Sequence, residues 1–143
     1  MFWDDALVDD LVSLWSTPPP PGEAGVAAFR RLYTDPVELN GGSVGAAALV
    51  ERARRLHAAL ADVRIEVVDR FAAPGRLAVV LRSSGRHVGP LPSPLGDVPA
   101  TGRRIEALGI DVLRVEDGRI RAISVVADEL GRLVQTGAVR LVG

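Results

Sequence analysis

The feature that most constrains the fold is a change of texture after Asp62. Four segments follow it, "VRIEVVDRF", "RLAVVLRSSGRHV", "RRIEALGIDVLRV" and "RIRAISVVA", each rich in Val, Ile and Leu and partly alternating. Such residues suit a pleated, half-buried surface and predict strands. "AAPG" joins the first pair and "EDG" the last pair as tight turns. The second and third segments are linked by "GPLPSPLGDVPATG", a Pro/Gly loop of a length that usually serves function or acts as a lid. A chain of this kind builds a mostly antiparallel, twisted sheet.

Upstream the spacing is helical. Trp3, Leu7, Leu11 and Leu14 or Trp15 predict a helix from about Asp4 to Ser16, which "TPPPPG" ends because Pro cannot donate. "EAGVAAFRRLY" predicts a second helix, and "TDPVELNGG" a short extended segment and a turn. Ser43 is a plausible N-cap for a third helix to about Ala61, with Leu49, Ala53, Leu56 and Leu60 as its buried stripe. Arg52, Arg55 and His57 lie off that stripe, and His57 is expected on a solvated face. "DELGRLVQTG" closes the chain's last strand with a short helix ending on Gly. Helices followed by a sheet make an α+β domain, and 143 residues suit a single one over 1–143.

"LAVVL" and "ISVV" are apolar on both strand parities. A sheet of that kind is covered on both faces: by the helices within the curl, and by a second copy outside. A homodimer is therefore expected, the other possibility being that the long loop and the C-terminal "AVRLVG" fold over the outer face.

Composition limits the chemistry. The formal net charge is -1 with no basic block, so no nucleic-acid partner and no polybasic membrane contact is expected. No apolar run reaches bilayer length, and "MFWDDALVDD" does not read as a signal peptide, so a cytoplasmic protein is the expectation. Cys is absent, which excludes thiolate nucleophiles and Cys-ligated metals. All 17 basic residues are Arg, so no Lys is available for a Schiff base. With His57 and His87 the only histidines, a two-His metal site would need both plus a carboxylate, and no metal is expected.

"DPVELNGGSVG", "LADVRIEV", "GRHVGPL", "PATGRRIEALGIDVLRVEDGRI" and "DELGRLVQTG" follow one another in an order that resembles the SnoaL-like polyketide cyclases, ester-cyclase-like members of the nuclear transport factor two-like superfamily. The resemblance runs from about Phe29 to Gly137. It implies a cone of three helices and a curved sheet around an apolar pocket. It implies a cofactor-free intramolecular aldol cyclisation of a polyketide-like small molecule, and a dimer. The single acid/base Asp that it implies falls on Asp128. After "GRI" the family usually has x-Glu-x-Trp, where this chain has Ala122 and Ser124.

Asp128 shares the strand parity of Ser124 and Val126; if that face lines the cavity, burial would raise its pKa and make it a useful base. Its other reading is an N-cap for "ELGRLVQ". His87 either assists by hydrogen-bonding a carbonyl that gains charge or sits at the mouth of the loop. Asp111, an acid inside an apolar strand, either pairs with Arg114 or Arg82 or serves the pocket. Arg114, Ser124, Tyr33 and Trp15 complete the expected substrate-binding set. Two other readings stay open: a hydrolase in which Asp111 and Asp128 share a water, and a non-catalytic ligand-binding or interaction module.

Overall fold

The computed structural model describes residues 3–143. Helices α1 (Asp5–Ser16) and α2 (Glu23–Leu32) open the chain, followed by strands β1 (Tyr33–Leu39) and β2 (Gly42–Val44). Helix α3 (Ala46–Ala59) leads into β3 (Leu60–Ala73), β4 (Arg76–His87), β5 (Arg104–Glu116) and β6 (Arg119–Ala127), and α4 (Glu129–Thr136) ends the fold. The strands form one six-stranded sheet in the order β2-β1-β6-β5-β4-β3. All neighbours are antiparallel except β1 and β6, which run parallel. Register shifts in β3 between Ala61 and Arg64 and between Val67 and Asp69, and in β5 at Arg114 and Val115, add the local bends that curl such a sheet.

Helices α1, α2 and α3 fill the concave side. Leu7, Val8 and Leu11 of α1, Phe29 and Leu32 of α2, and Leu49, Val50 and Ala53 of α3 meet Leu77, Val79, Leu113, Ile120 and Ile123 from the sheet. Phe29 is fully buried. Its ring meets Trp15 edge-on at 5.4 Å between centroids and stacks on Tyr33 at 6.1 Å, which fixes two aromatic side chains that matter below. Arg70 of β3 ties down the start of α1 by pairing with both Asp4 and Asp5.

Two expectations are corrected. Ser43 does not cap α3; it pairs with Glu38 in the small β1–β2 ladder. The free N–H at Ala46 is taken instead by Asp35 Oδ1 at 2.9 Å, reaching across from β1. That bond, together with Arg30, holds the Asp35 carboxyl below its ordinary pKa. His57 is not simply solvated: its Nε2 donates to the Trp15 carbonyl at 3.0 Å, satisfying a C-terminal carbonyl of α1. No helix among the described residues is long and apolar enough to cross a membrane.

The long loop is pinned at its base. Leu91 and Val98 bridge its two arms, and Leu91 packs with Ala59, Leu60 and Ile105 in a second, smaller core. At the other end, α4 docks on the free edge of β5 beyond the end of β6. Gln135 there accepts from the Glu106 N–H and donates to the Glu106 carbonyl, both at 2.7 Å. One side chain thus replaces the missing neighbour strand.

Candidate functional site

Between the helices and the concave face lies a cavity of about 280 Å³. Leu11, Val12 and Trp15 of α1, Tyr33 and Leu39 of β1, and Leu49 and Leu56 of α3 form one side. Ile65, Leu81, Ala107, Gly109, Ile123, Val125 and Ala127 form the other. Into this apolar wall β5 brings one carboxylate, Asp111. The reason is parity. Ile105, Ala107 and Leu113 of β5 are buried, whereas Glu106, Leu108, Ile110, Val112 and Arg114 face outward. Asp111 falls on the inward set. Its cross-strand partners are Val79 and Val125, neither able to hydrogen-bond through its side chain.

The Asp111 carboxylate makes no hydrogen bond or ion pair with any described residue. Loss of water is not offset, and burial raises its pKa from 3.8 to about 6. Tyr33, on the neighbouring wall, is buried. Its hydroxyl accepts the Trp15 indole N–H at 2.8 Å, which leaves the phenolic proton free to be donated elsewhere. Burial pushes the Tyr33 pKa well above its usual value; the Trp15 bond opposes this and the Asp111 charge adds to it. The cavity therefore offers one acid poised to exchange a proton near neutral pH and one phenol that stays protonated.

The other expected site residues lie elsewhere. The inward parity of β6 is Ile123, Val125 and Ala127, so the premise that placed Asp128 inside is reversed. Val126 is 77% exposed on the outer face. Asp128 is exposed and caps α4: its Oδ1 accepts from the Gly131 N–H at 2.8 Å. A Cβ at Gly131 would collide with that carboxylate, which accounts for the Asp-x-x-Gly spacing. Ser124 and Arg114 lie together on the outer face, in a polar depression with Arg76 and Glu38. Arg82, also outward, pairs with Glu66 and Glu106. Asp111 thus meets neither of its suggested arginine partners, and Asp111 and Asp128 do not line one cavity.

His87 is fully buried outside the cavity. Its Nε2 donates to the Val98 carbonyl at 3.2 Å, and its Nδ1 accepts from the Thr101 hydroxyl at 2.9 Å. Both nitrogens are occupied in holding the base of the long loop. Trp15 and Tyr33 lie in the cavity wall as expected. Two residues escaped the sequence reading: Arg52 and Arg132 also line the cavity. The signal for Arg52 was its place three residues after Leu49 and four before Leu56, on the edge of the apolar stripe. Among the described residues no three His, Asp or Glu side chains converge to hold a metal.

A three-helix layer within a curled mixed sheet, enclosing an apolar cavity with a buried acid, defines an α+β cone of the nuclear transport factor two-like type. The family model of the SnoaL-like polyketide cyclases matches residues 13–136, and the chain belongs to that family. Among solved structures, TsrD from Streptomyces laurentii is similar over 96% of both chains at 22% identity and a TM-score of 0.79. A SnoaL-like polyketide cyclase from Agrobacterium tumefaciens is similar over 87% of this chain and 93% of its own, at 21% identity and a TM-score of 0.67. A protein with a ketosteroid isomerase-like fold from Catenulispora acidiphila, in complex with trimethylamine, is similar over 93% of each chain at 14% identity and a TM-score of 0.70. At these identities the likeness concerns the fold. No curated protein matches the chain in sequence.

Proposed function

We propose that the protein is a cofactor-free cyclase of a small polyketide-like molecule and that Asp111, rather than Asp128, is its acid/base. The observation that carries this reading is the Asp111 carboxyl in an apolar cavity, without a hydrogen-bond or ion-pair partner among the described residues and with its pKa raised to about 6. The Asp111 carboxylate removes a proton from a carbon flanked by two carbonyls. The enolate carbon attacks a ketone of the same molecule, forming the ring C–C bond. The alkoxide then recovers the proton from the Asp111 carboxylic acid, so the cycle closes without a co-reactant. Tyr33, its hydroxyl oxygen already holding the Trp15 N–H, donates to the oxygen that gains charge. Asp128 caps α4 and does not line the Asp111 cavity, which favours this reading over a hydrolase built on both carboxylates.

The reaction can be tested before the substrate is identified. Exchange of solvent deuterium into an aromatic β-keto ester, followed by NMR, reads proton removal directly. Exchange should accelerate as pH rises through about 6 and fall at least a hundredfold in Asp111→Asn. Exchange that is as fast in the variant as in the wild type would rule out the assignment.

The outer face of the sheet supports a homodimer. Val80, Ile110 and Val126 stand in register across β4, β5 and β6, with Ile110 48% and Val126 77% exposed. The intramolecular covers are engaged elsewhere or absent: the long loop packs on Ala59, Leu60 and Ile105, and Leu141 and Val142 of the tail are almost fully exposed. A second copy of the same face buries this row on both chains.

A further inference from the structure

The walls of the Asp111 cavity hold two cations that the proposed chemistry does not use. Arg52 comes from α3 and Arg132 from α4. Neither guanidinium makes a hydrogen bond or ion pair within the described residues. By contrast, Arg30, Arg70, Arg82, Arg86 and Arg121 each have an acidic partner. The two do not neutralise Asp111 either. No salt bridge joins them to it, and burial is what governs its titration. Arg52 is exposed and Arg132 partly so, and long side chains of this kind line an apolar wall with their stems while the charged heads stay in water. The chain carries a net charge of -1, so this pair is a local feature and not part of a general basic surface.

We propose that Arg52 and Arg132 read an acidic group, and that the substrate is a small, ring-sized apolar molecule bearing a carboxylate. The cavity of about 280 Å³ is just below the usual size of ligand pockets, roughly 300 to 1,000 Å³. It suits one or two rings rather than an extended fused system. The apolar body occupies the wall of Leu49, Leu56, Leu81 and Val125, next to Asp111, while the carboxylate remains at the rim between the two guanidiniums. Keeping the charge at the rim also keeps it away from the Asp111 carboxylate. The inference rests on the proposed function only in using the same cavity.

The test is a binding comparison between 2-naphthoic acid and its methyl ester, measured calorimetrically at low salt. It uses the full chain as wild type, Arg52→Gln, Arg132→Gln, the double variant and Asp111→Asn. Neither arginine side chain has a partner among the described residues, so melting temperatures should stay close to wild type. The wild type should prefer the acid. Each single substitution should lower affinity for the acid about two- to fivefold, and the double about tenfold, with the ester unaffected. The preference should weaken as salt rises. Equal binding of acid and ester by the wild type, failure to bind either, or a preference that survives the double substitution would each overturn the proposal. Asp111→Asn separates the two readings, because it should keep the acid preference while losing deuterium exchange. If the preference holds but exchange persists in that variant, the arginine assignment stands and the acid/base assignment falls. If exchange is lost in that variant but the wild type shows no acid preference, the acid/base assignment stands and the arginine assignment falls.

Discussion

Replacing Asp111 by Asn should remove a pH-dependent destabilisation along with the proton-transfer group. Burial raises the Asp111 carboxyl from 3.8 to about 6. A pKa unit corresponds to about 1.36 kcal/mol, so ionised Asp111 destabilises the fold by about 3 kcal/mol relative to its neutral form. The sign follows from proton binding. The folded state holds this proton more tightly than the unfolded chain, so between pH 3.8 and about 6 stability falls as pH rises, and above that window the full cost is present. Asn has nearly the same shape but cannot ionise, so its stability lacks this slope. About half a kcal/mol of this cost is already present at pH 4, so the difference between variant and wild type should grow by about 2.5 kcal/mol from pH 4 to pH 8.

The comparison is made with urea unfolding curves of both proteins at the two pH values. Burying an unpartnered amide costs about 1–3 kcal/mol at either pH, so the change with pH is the diagnostic and the absolute difference is not. In melting experiments the same change corresponds to roughly 5–10 °C. Parallel stability profiles would show that Asp111 does not lose hydration on folding and would remove the physical basis for its role as a base.

Three further outcomes are expected. Asp128→Ala should cost about 1 kcal/mol of stability, as for loss of an N-cap, and leave deuterium exchange per folded molecule within about twofold; a hundredfold loss would return the acid/base role to Asp128. Gln135→Ala should lower the urea unfolding free energy by about 1–3 kcal/mol, because it leaves the Glu106 N–H and carbonyl without their partner; a change below the fitting error would show that water replaces the side chain at no cost. Sedimentation equilibrium at low micromolar concentration should give a dimer mass for the wild type and a monomer mass for Ile110→Arg, and a monomer wild type would refute the pairing through Val80, Ile110 and Val126.

Most of the fold was legible because its signals are local. The turn at Asp117 and Gly118 lies where "EDG" placed it, both residues having positive φ, and β3 to β6 follow the β-branched segments. What could not be read was non-local. The parallel pairing of β1 with β6 joins segments some 85 residues apart, and Asp35 caps α3 from another strand. The face of β6 was ambiguous for a physical reason: "ISVV" is apolar on both parities, so the pattern does not say which side is inside. The wrong choice there carried Asp128 inward. The two readings of His87 could not be separated in sequence because its partners, Val98 and Thr101, come from a loop whose path no periodicity encodes.

The strand beside it carried a partial signal. In β5 the charged Glu106 and Arg114 share the outward parity, and Ile105, Ala107 and Leu113 the inward one that also holds Asp111; Leu108, Ile110 and Val112 make the outward set apolar at its middle, so burial rather than pattern decides the side. Comparison of three acids then shows how environment divides their roles. Asp35 accepts a backbone N–H and an arginine, and its pKa falls. Asp128 accepts the N–H of Gly131 and caps a helix. Asp111 has no hydrogen-bond donor among the described residues, in a wall made mostly of apolar side chains. A fold holds a carboxyl that is partly stripped of water and given no partner only at a cost to its own stability once the group ionises. The stability that Asp111 withholds from the fold is the same free energy that brings its proton exchange close to neutral pH, so the two effects should disappear together in Asp111→Asn.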